Sequence, residues 1–201
     1  MLDHVVLVAR DLEAAMADHR RRGFTVTPGG DHADGLTHNA LVPFRDGTYL
    51  EIVAFHEPAH AVTHPWWKIA AEGGGFADFA LLSDDLAADH PIGLKGMVTR
   101  SSAVGGRTRP DGTRLEWRTA MLSTPLPFLI EDVTARELRV PGGAAAQHAN
   151  GAAGIANVTV GARNLADAEW RYARLRERGA PEIQLRASDR EGVLDVRFRG
   201  D

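Results

Sequence analysis

The sequence predicts an α+β fold made of repeated βαβββ modules, in which a strand and a helix precede three further strands. Residues 2–15 and 155–168 align without a gap and share the order of strand, helix-capping residue and helix. A third stretch, Phe76 to Asp89, repeats the apolar pattern and the Asp-Leu pair of the first. After the first copy, two strand-like runs are joined by Asp-Gly, which is the strongest short-range signal for a hairpin.

Module one is predicted over residues 1–55. It begins with a strand from Asp3 to Ala9 and continues into a helix capped by Asp11. Gly23 is a natural end for this helix. The runs "FTVTPGG", "THNALVPF" and "TYLEIVAF" then supply the three remaining strands.

Module two is predicted over residues 74–133, with a very short helix because Pro91 and Gly93 interrupt it. Its later strands are "GMVTRSSAVGG", "TRLEWRTAML" and "PFLIEDV". Residues 134–153 are rich in Gly and Ala, which indicates a linker or a loop folded over a site. A third, degenerate βαββ module is predicted over residues 154–201, with "EIQLRA" and "GVLDVRF" as its visible strands.

The composition excludes several classes of function. The chain has 201 residues, is 44% hydrophobic and carries a formal net charge of -4, which argues against a nucleic-acid partner. It has no cysteine, so disulfides, thiolate metal sites and cysteine nucleophiles are excluded. The N-terminus lacks the pattern of a signal peptide, and no apolar run approaches the ~20 residues that cross a bilayer. We therefore expect a cytoplasmic protein without a membrane partner, and the abundance of Ala, Arg and Gly is typical of a GC-rich bacterial genome.

Glu51 is the first candidate for a functional site. Alternate side chains of a strand face the same side, so Tyr49, Val53 and Phe55 share the face of Glu51. A carboxylate on a mostly apolar face is costly unless it is paired, hydrogen-bonded or bound to a cation. His4 is a suitable partner if the first and last strands of module one lie on the same wall. Imidazole and carboxylate ligands suit Zn, Fe, Mn, Co or Ni.

The repeat resembles the vicinal oxygen chelate superfamily, which contains glyoxalases, bleomycin resistance proteins and extradiol dioxygenases. The resemblance is carried by "LDHVVLVARDLEAA" and "THNALVPFRDGTYLEIVAF", while "PLPFLIED" and "HANGAAGIANVTVGARNL" are similar to its glyoxalase-like branch. It covers nearly the whole chain and implies two modules whose strands curl into a half-open cup, with the helices outside. In such proteins the metal ligands typically come from the first and last strands of each module. The resemblance therefore implies His4 and Glu51 as ligands.

The second module departs from this pattern. Asp78 stands opposite His4, where the superfamily often has a histidine. Glu131 stands opposite Glu51 if the strands are counted from the end, whereas an alternative register selects Glu116. We prefer Glu131, because it lies in the last strand of its module. His4, Glu51 and Glu131 would then form a three-ligand metal site, and either glutamate could instead be the catalytic base.

Six further residues are predicted to contact a substrate. Two lie on the hairpin, three offer aromatic surface, and one lies in the loop before module three: His38, Asn39, Phe44, Trp66, Phe128 and His148.

The resemblance implies a protein that binds, and as an enzyme transforms, a small carbonyl or aromatic compound with the help of a divalent metal ion. Its reaction would be that of a lyase, isomerase or dioxygenase, starting with proton abstraction next to a carbonyl or with bond cleavage on the metal. The alternative is a protein of the same fold that sequesters an aromatic compound without catalysis or metal. The third module would pack on the cup or on a second subunit, so a homodimer is expected.

Overall fold

The computed structural model describes residues 1–56, 63–89, 97–176 and 183–200. Its elements in chain order are β1 (Leu2–Val8), α1 (Leu12–Arg21), β2 (Thr27–His32), β3 (Thr37–Pro43), β4 (Tyr49–Phe55), α2 (Trp67–Ala71), β5 (Gly75–Leu82), α3 (Leu86–Asp89), β6 (Val98–Thr108), β7 (Arg114–Leu122), β8 (Phe128–Asp132), α4 (Arg136–Arg139), a 3-10 turn (Gly143–Ala146), β9 (Gly154–Ala162), α5 (Leu165–Arg176), β10 (Ile183–Ala187) and β11 (Gly192–Arg199). Pro91 and Gly93, the residues predicted to interrupt the helix of module two, lie outside the described residues.

Eight strands form a closed barrel in the order β1-β4-β3-β2-β6-β7-β8-β5. The two modules meet at two antiparallel seams, where β1 pairs with β5 and β2 pairs with β6. The second seam consists of two residue pairs, Asp31 with Thr108 and His32 with Arg107. This short ladder closes the curled sheet that the sequence predicts as an open cup. The α+β fold of repeated modules is thereby confirmed.

The first helix follows from its capping residue. The side chain of Asp11 accepts a hydrogen bond from the Ala14 backbone N–H at 2.7 Å, which satisfies a donor that the helix itself leaves unpaired. Leu12 and Met16 lie on the buried face of α1, which packs against the outer surface of β3 and β4. The helix therefore covers the outside of the barrel and leaves the inside free.

The predicted hairpin between β3 and β4 is also confirmed. Gly47 adopts a φ of 84° in the turn, a conformation that favours glycine. Thr48 donates its backbone N–H and its hydroxyl to Oδ1 of Asp46, at 3.0 and 2.6 Å. The register that results pairs Leu41 with Glu51. It turns Glu51 toward the barrel interior.

Strand alternation separates an inner from an outer apolar core. The inner core lies inside the barrel and contains Val6, Val8, Val53, Phe55, Ala80, Phe128 and Ile130. The outer core lies between the barrel wall, α1 and the last part of the chain, and it includes Val5, Val42, Phe44, Phe79 and Val160. The polar side chains that face inward are therefore surrounded by apolar groups.

The last part of the chain forms a three-stranded sheet in the order β10-β9-β11, with α5 packed on it. Its apolar residues belong to the outer core of the barrel, and β11 lies against β5. The Tyr172 hydroxyl donates to the carbonyl of Pro125 at 2.7 Å, and the Ile155 backbone N–H donates to Oγ1 of Thr48 at 3.2 Å. None of the helices in the described part of the chain is both long and apolar enough to cross a membrane.

Candidate functional site

The barrel encloses a cavity of about 750 Å³, a volume typical of small-molecule sites. Its polar wall contains His4, His32, Glu51, Arg107 and Arg139. Its apolar wall contains Trp66, Trp117, Met121, Phe128 and Ile130. A few convergent polar groups inside an apolar enclosure are the usual composition of a ligand site.

His4 presents a buried, unpartnered nitrogen to this cavity. Its Nδ1 lies 2.7 Å from Oδ2 of Asp3, and its Nε2 lies 3.4 Å from Oε2 of Glu51 without forming a hydrogen bond. Burial would lower the pKa of His4, but the carboxylates of Asp3 and Glu51 outweigh burial and raise it. When Nδ1 holds the proton, the Nε2 lone pair faces a carboxylate oxygen. A proton or a cation between the two atoms relieves that repulsion.

Glu51 is held in place by polar groups of two neighbouring strands. Asn39 donates its side-chain amide to Oε1 at 2.6 Å, and Nε2 of His32 lies 3.3 Å from the same oxygen. The ring of His32 is fixed in turn by a 2.7 Å contact between its Nδ1 and the hydroxyl of Thr37. Burial would raise the pKa of Glu51, yet His32 and His4 hold it well below its ordinary value. Glu51 is therefore a carboxylate anion at neutral pH.

Asp3 is neutralised by two arginines of the segment that follows β8. Arg139 donates from Nη1 to Oδ2 of Asp3 at 2.8 Å and to the Tyr49 hydroxyl at 2.6 Å. Arg136 pairs with the other oxygen of Asp3, and Arg139 also pairs with Asp132. Burial opposes the ionisation of Asp3, but His4 and Arg139 lower its pKa. Asp3 therefore keeps its charge without exposure to water and fixes the orientation of His4.

Asp78 occupies the place in module two that His4 occupies in module one. In the ladder between β1 and β5, His4 pairs with Ala80 and Val6 pairs with Asp78, as an approximate twofold axis between the modules requires. Burial raises the pKa of Asp78 to about 7, although its own strand's Phe79 N–H and the charge of His4 oppose the rise. Asp78 is thus a second carboxyl group whose ionisation depends on its enclosure.

The same axis identifies Phe128 as the counterpart of Glu51. Glu51 pairs with Val6 in the parallel ladder of β1 and β4, and Phe128 pairs with Ala80 in the parallel ladder of β5 and β8. Glu131 stands three positions further along β8 and therefore points to the other face. An apolar ring stands where the superfamily pattern leads one to expect a second acid.

Glu131 accepts hydrogen bonds on the outside of the barrel. Its Oε1 accepts from Nη1 of Arg118 at 3.2 Å, and its Oε2 accepts from the Leu86 backbone N–H at 3.3 Å. Glu116, the alternative, is exposed. The structure does not bring either residue to the cavity wall with His4 and Glu51, because odd and even positions of these strands face opposite ways.

Three of the residues predicted to bind substrate also lie outside the barrel. The ring of His38 contacts that of His56 at a tilt of 32°, with ring centroids 4.2 Å apart. Phe44 belongs to the outer core, and Nε2 of His148 lies 2.9 Å from the carbonyl oxygen of Pro43. Trp66 and Phe128 do line the cavity, while Asn39 acts through its hydrogen bond to Glu51.

A separate cluster lies on the outer face near His38. The ligand atoms of Asp31, His38 and His56 all lie within 4.8 Å of one another, and Nε2 of His56 is 3.1 Å from Oδ1 of Asp31. Asp31 and His56 are exposed. This cluster shares no residue with the wall of the barrel cavity.

The donors inside the barrel are of the types that bind a divalent metal ion, although among the described residues only the outer cluster brings three ligand atoms within 4.8 Å of one another. His4 and His32 offer Nε2 atoms to the two different oxygens of Glu51, and the buried Nε2 of His4 has no other partner. A metal-ligating histidine commonly gives its other ring N–H to a carboxylate, as His4 does to Asp3. The residues that could hold the ion are therefore His4, His32 and Glu51, with His32 in place of the Glu131 that we expected.

Sequence reasoning missed several residues of this site. Asp3 directly precedes His4, which was a usable signal, because a carboxylate next to a candidate ligand can orient its ring. His32 lies in "GGDHADG", which looks like a turn, and Arg139 lies in the segment interpreted as a linker. Arg107 gave no signal, since its proximity to the site depends on the pairing of β2 with β6.

The fold and the enclosed polar centre define a protein of the vicinal oxygen chelate superfamily. Residues 2–176 match the model of the glyoxalase-like domain, so the chain belongs to that family. No curated protein matches the sequence.

Three solved structures match the chain, and two of them have TM-scores above 0.5 and share its fold. A hypothetical protein from Staphylococcus aureus has a TM-score of 0.64 at 16% identity, covering 86% of this chain and 74% of its own. Hypothetical protein BH1468 from Bacillus halodurans has a TM-score of 0.51 at 12% identity, covering 67% of this chain and 96% of its own. A Streptomyces coelicolor methylmalonyl-CoA epimerase variant in complex with 2-nitronate-propionyl-CoA has a TM-score of 0.46 at 22% identity. The match covers 66% of this chain and 97% of the epimerase chain.

Proposed function

We propose that the chain is an enzyme that binds a small carbonyl compound in the barrel cavity and moves a proton at the carbon next to the carbonyl. The observation that carries this proposal is the 3.4 Å approach of the unpartnered His4 Nε2 to the Glu51 carboxylate on the cavity wall. A base and a group that can hold a positive charge are thereby placed side by side.

Glu51 is the base in this proposal. Its pKa lies well below the ordinary value, so it is ionised before a substrate binds. The amide of Asn39 and the imidazole of His32 fix Oε1, which leaves Oε2 beside His4 as the oxygen that accepts a proton. Such positioned proton transfer contributes about 10²–10⁴-fold to rate in enzymes.

His4 stabilises the oxygen on which negative charge develops as the proton leaves. Its raised pKa favours the imidazolium form, and Asp3 holds the ring in one orientation. A divalent ion bound at His4, His32 and Glu51 would replace the proton on His4 and would supply Lewis-acid polarisation of the same carbonyl oxygen. The aromatic side chains of Trp66, Trp117 and Phe128 would exclude water around the reacting carbon.

A second candidate function is sequestration of an aromatic compound without chemistry. The apolar wall favours it, because indole and phenyl rings line the cavity and can stack on flat ligands. In either case we place the protein in the bacterial cytoplasm as a homodimer, following the sequence-based expectations.

Deuterium exchange in D₂O tests the proposed chemistry without knowledge of the product. The wild type should exchange the protons next to the carbonyl of one or more members of a panel containing pyruvate, 2-oxobutyrate and phenylpyruvate, followed by NMR. Glu51→Gln should exchange at least about 100-fold more slowly. Glu131→Gln is the matched control, because it removes a similar charge from the outer face and should exchange as the wild type does.

Metal content measured on the same preparations tests the ligand set. We expect His4→Ala and Glu51→Gln to lose a stoichiometric divalent ion that His38→Ala, a variant of the outer cluster, retains. If no compound of the panel exchanges, but aromatic compounds quench the tryptophan fluorescence, the sequestration function replaces the proposed reaction.

A further inference from the structure

Arg107 is a buried cation in the cavity wall that has no ion pair with a carboxylate among the described residues. It is 4% exposed and lies on β6, directly opposite His32 of β2. Its Nη2 donates to the carbonyl oxygen of Arg139 at 2.7 Å, and its Nε is buried without any hydrogen-bond partner. Removing a charged group from water is unfavourable unless a counter-charge accompanies it.

The neighbouring arginines differ from Arg107 in this respect. Arg139 is paired with both Asp3 and Asp132, and Arg136 is paired with the same two carboxylates. These acids are therefore already shared between two cations. Arg107 lines the cavity without an ion pair among the described residues, and of the cavity carboxylates only the charge of Glu51 acts on it.

We propose that Arg107 binds the carboxylate of the ligand, so that the cavity selects small organic monoacids with an apolar body. The inference rests on the proposed function in that both use this cavity, but it requires no reaction there. Arginine presents its N–H groups as a planar fork that matches the two oxygens of a carboxylate. The unpartnered Nε is one member of that fork.

The position of Arg107 also orients such a ligand. Side chains directly opposite each other in antiparallel strands have Cβ atoms roughly 5 Å apart, which places the Arg107 side chain beside His32. Nε2 of His32 is in turn 3.3 Å from Glu51. A carboxylate at Arg107 therefore lets the adjoining carbons of the ligand extend toward Glu51.

The apolar body has a surface to lie on beside this anchor. Trp117 packs over Gly105, so closely that a Cβ at Gly105 would fall 2.3 Å from its Nε1. Its indole lines the cavity and reaches it from β7, over the residue of β6 that lies two positions before Arg107. A monoanion matches the single free charge, whereas a phosphate dianion would bring a second negative charge close to Glu51.

Calorimetric titration with matched probes tests the inference at pH 7. Benzoate should bind the wild type at least 10-fold more tightly than benzamide, which has the same shape without the charge, and more tightly than phenyl phosphate. Arg107→Met should bind benzoate and benzamide alike. Arg109→Met is the matched control, since it removes a half-buried, ion-paired cation two residues away and should keep the preference for benzoate.

Arg107→Lys keeps the charge and removes the fork, so it should retain a reduced preference for benzoate if Arg107→Met fails to fold. The inference is overturned if the wild type binds benzoate and benzamide equally or does not bind benzoate. It is also overturned if the preference for benzoate is unchanged in Arg107→Met or Arg107→Lys. Glu51→Gln should still prefer benzoate. If the wild type prefers benzoate but exchanges no protons, the proposed reaction is wrong and the carboxylate site stands. If it exchanges protons but does not prefer benzoate, the carboxylate site is wrong and the reaction stands.

Discussion

Oδ2 of Asp3 lies 2.7 Å from Nδ1 of His4, its neighbour in β1. Successive side chains of a regular strand point to opposite faces, and the contact coincides with an irregularity in the ladder of β1 and β5 between Leu2 and His4. Arg139 donates to the same oxygen of Asp3. The pair is almost completely buried, with Asp3 at 0% and His4 at 2% exposure. The orientation of the central imidazole therefore depends on a charge network below the cavity.

The Asp3→Asn variant should lose about 3–5 kcal/mol of unfolding free energy, because it leaves the Arg139 guanidinium buried with one counter-charge fewer. Urea unfolding followed by circular dichroism measures this loss. Asp18→Asn is the control, since its ion pair with Arg21 is exposed and should contribute at most about 1 kcal/mol. Equal losses in the two variants would show that the buried network does not stabilise the fold.

Acid should weaken the fold through Asp3 and Glu51. Their native pKa values lie below the ordinary values of 3.8 and 4.5, so the unfolded chain binds more protons in acid than the native one. Their stabilising contribution is complete above about pH 5 and is lost progressively as the pH falls below about 4. Unfolding free energies between pH 6 and pH 3 should fall less steeply in Glu51→Gln than in the wild type. A parallel pair of curves would contradict the assignment.

The contribution of Asp78 to the unfolding free energy should have the opposite dependence on pH. Its native pKa is raised from 3.8 to about 7, so the native chain binds the additional proton and stability decreases as the pH rises through this interval. The Asp78→Asn variant imitates the protonated form and should be more stable than the wild type by about 2–4 kcal/mol at pH 8, with little difference at pH 4. Urea titrations at both pH values provide the comparison, and a difference independent of pH would contradict it.

Gly105→Ala should damage the aromatic wall of the cavity. The new methyl group would meet Nε1 of Trp117 at 2.3 Å, so the indole has to leave its place. We expect a loss of about 1–3 kcal/mol and a red shift of the tryptophan fluorescence. Gly142→Ala, where a Cβ meets no atom within 4 Å, should change neither quantity.

The local elements could be predicted because their signals are local. Asp11 caps α1 and the Asp-Gly turn joins β3 to β4, as expected from the residue types alone. The inward face of β4, which includes Glu51, followed from alternation. These features depend on a few adjacent residues and not on the rest of the chain.

The composition of the site depends on pairings that the sequence does not reveal. A count along β8 suggested Glu131 as the counterpart of Glu51, whereas the ladder between β5 and β8 gives that place to Phe128. A displacement by an odd number of positions moves a side chain to the opposite face of a strand. Arg107 and Arg139 reach the cavity only through long-range packing, which no short pattern records.

The short helix after β8 has a consequence for how the chain can be divided. Asp3 at the start of β1 is enclosed by Arg136 and Arg139, which lie beyond the last strand of the barrel. A fragment that stops at β8 would keep every barrel strand and would lose both of the cations that pair with Asp3. We therefore expect the smallest autonomous folding unit to extend at least through α4, beyond the two duplicated halves.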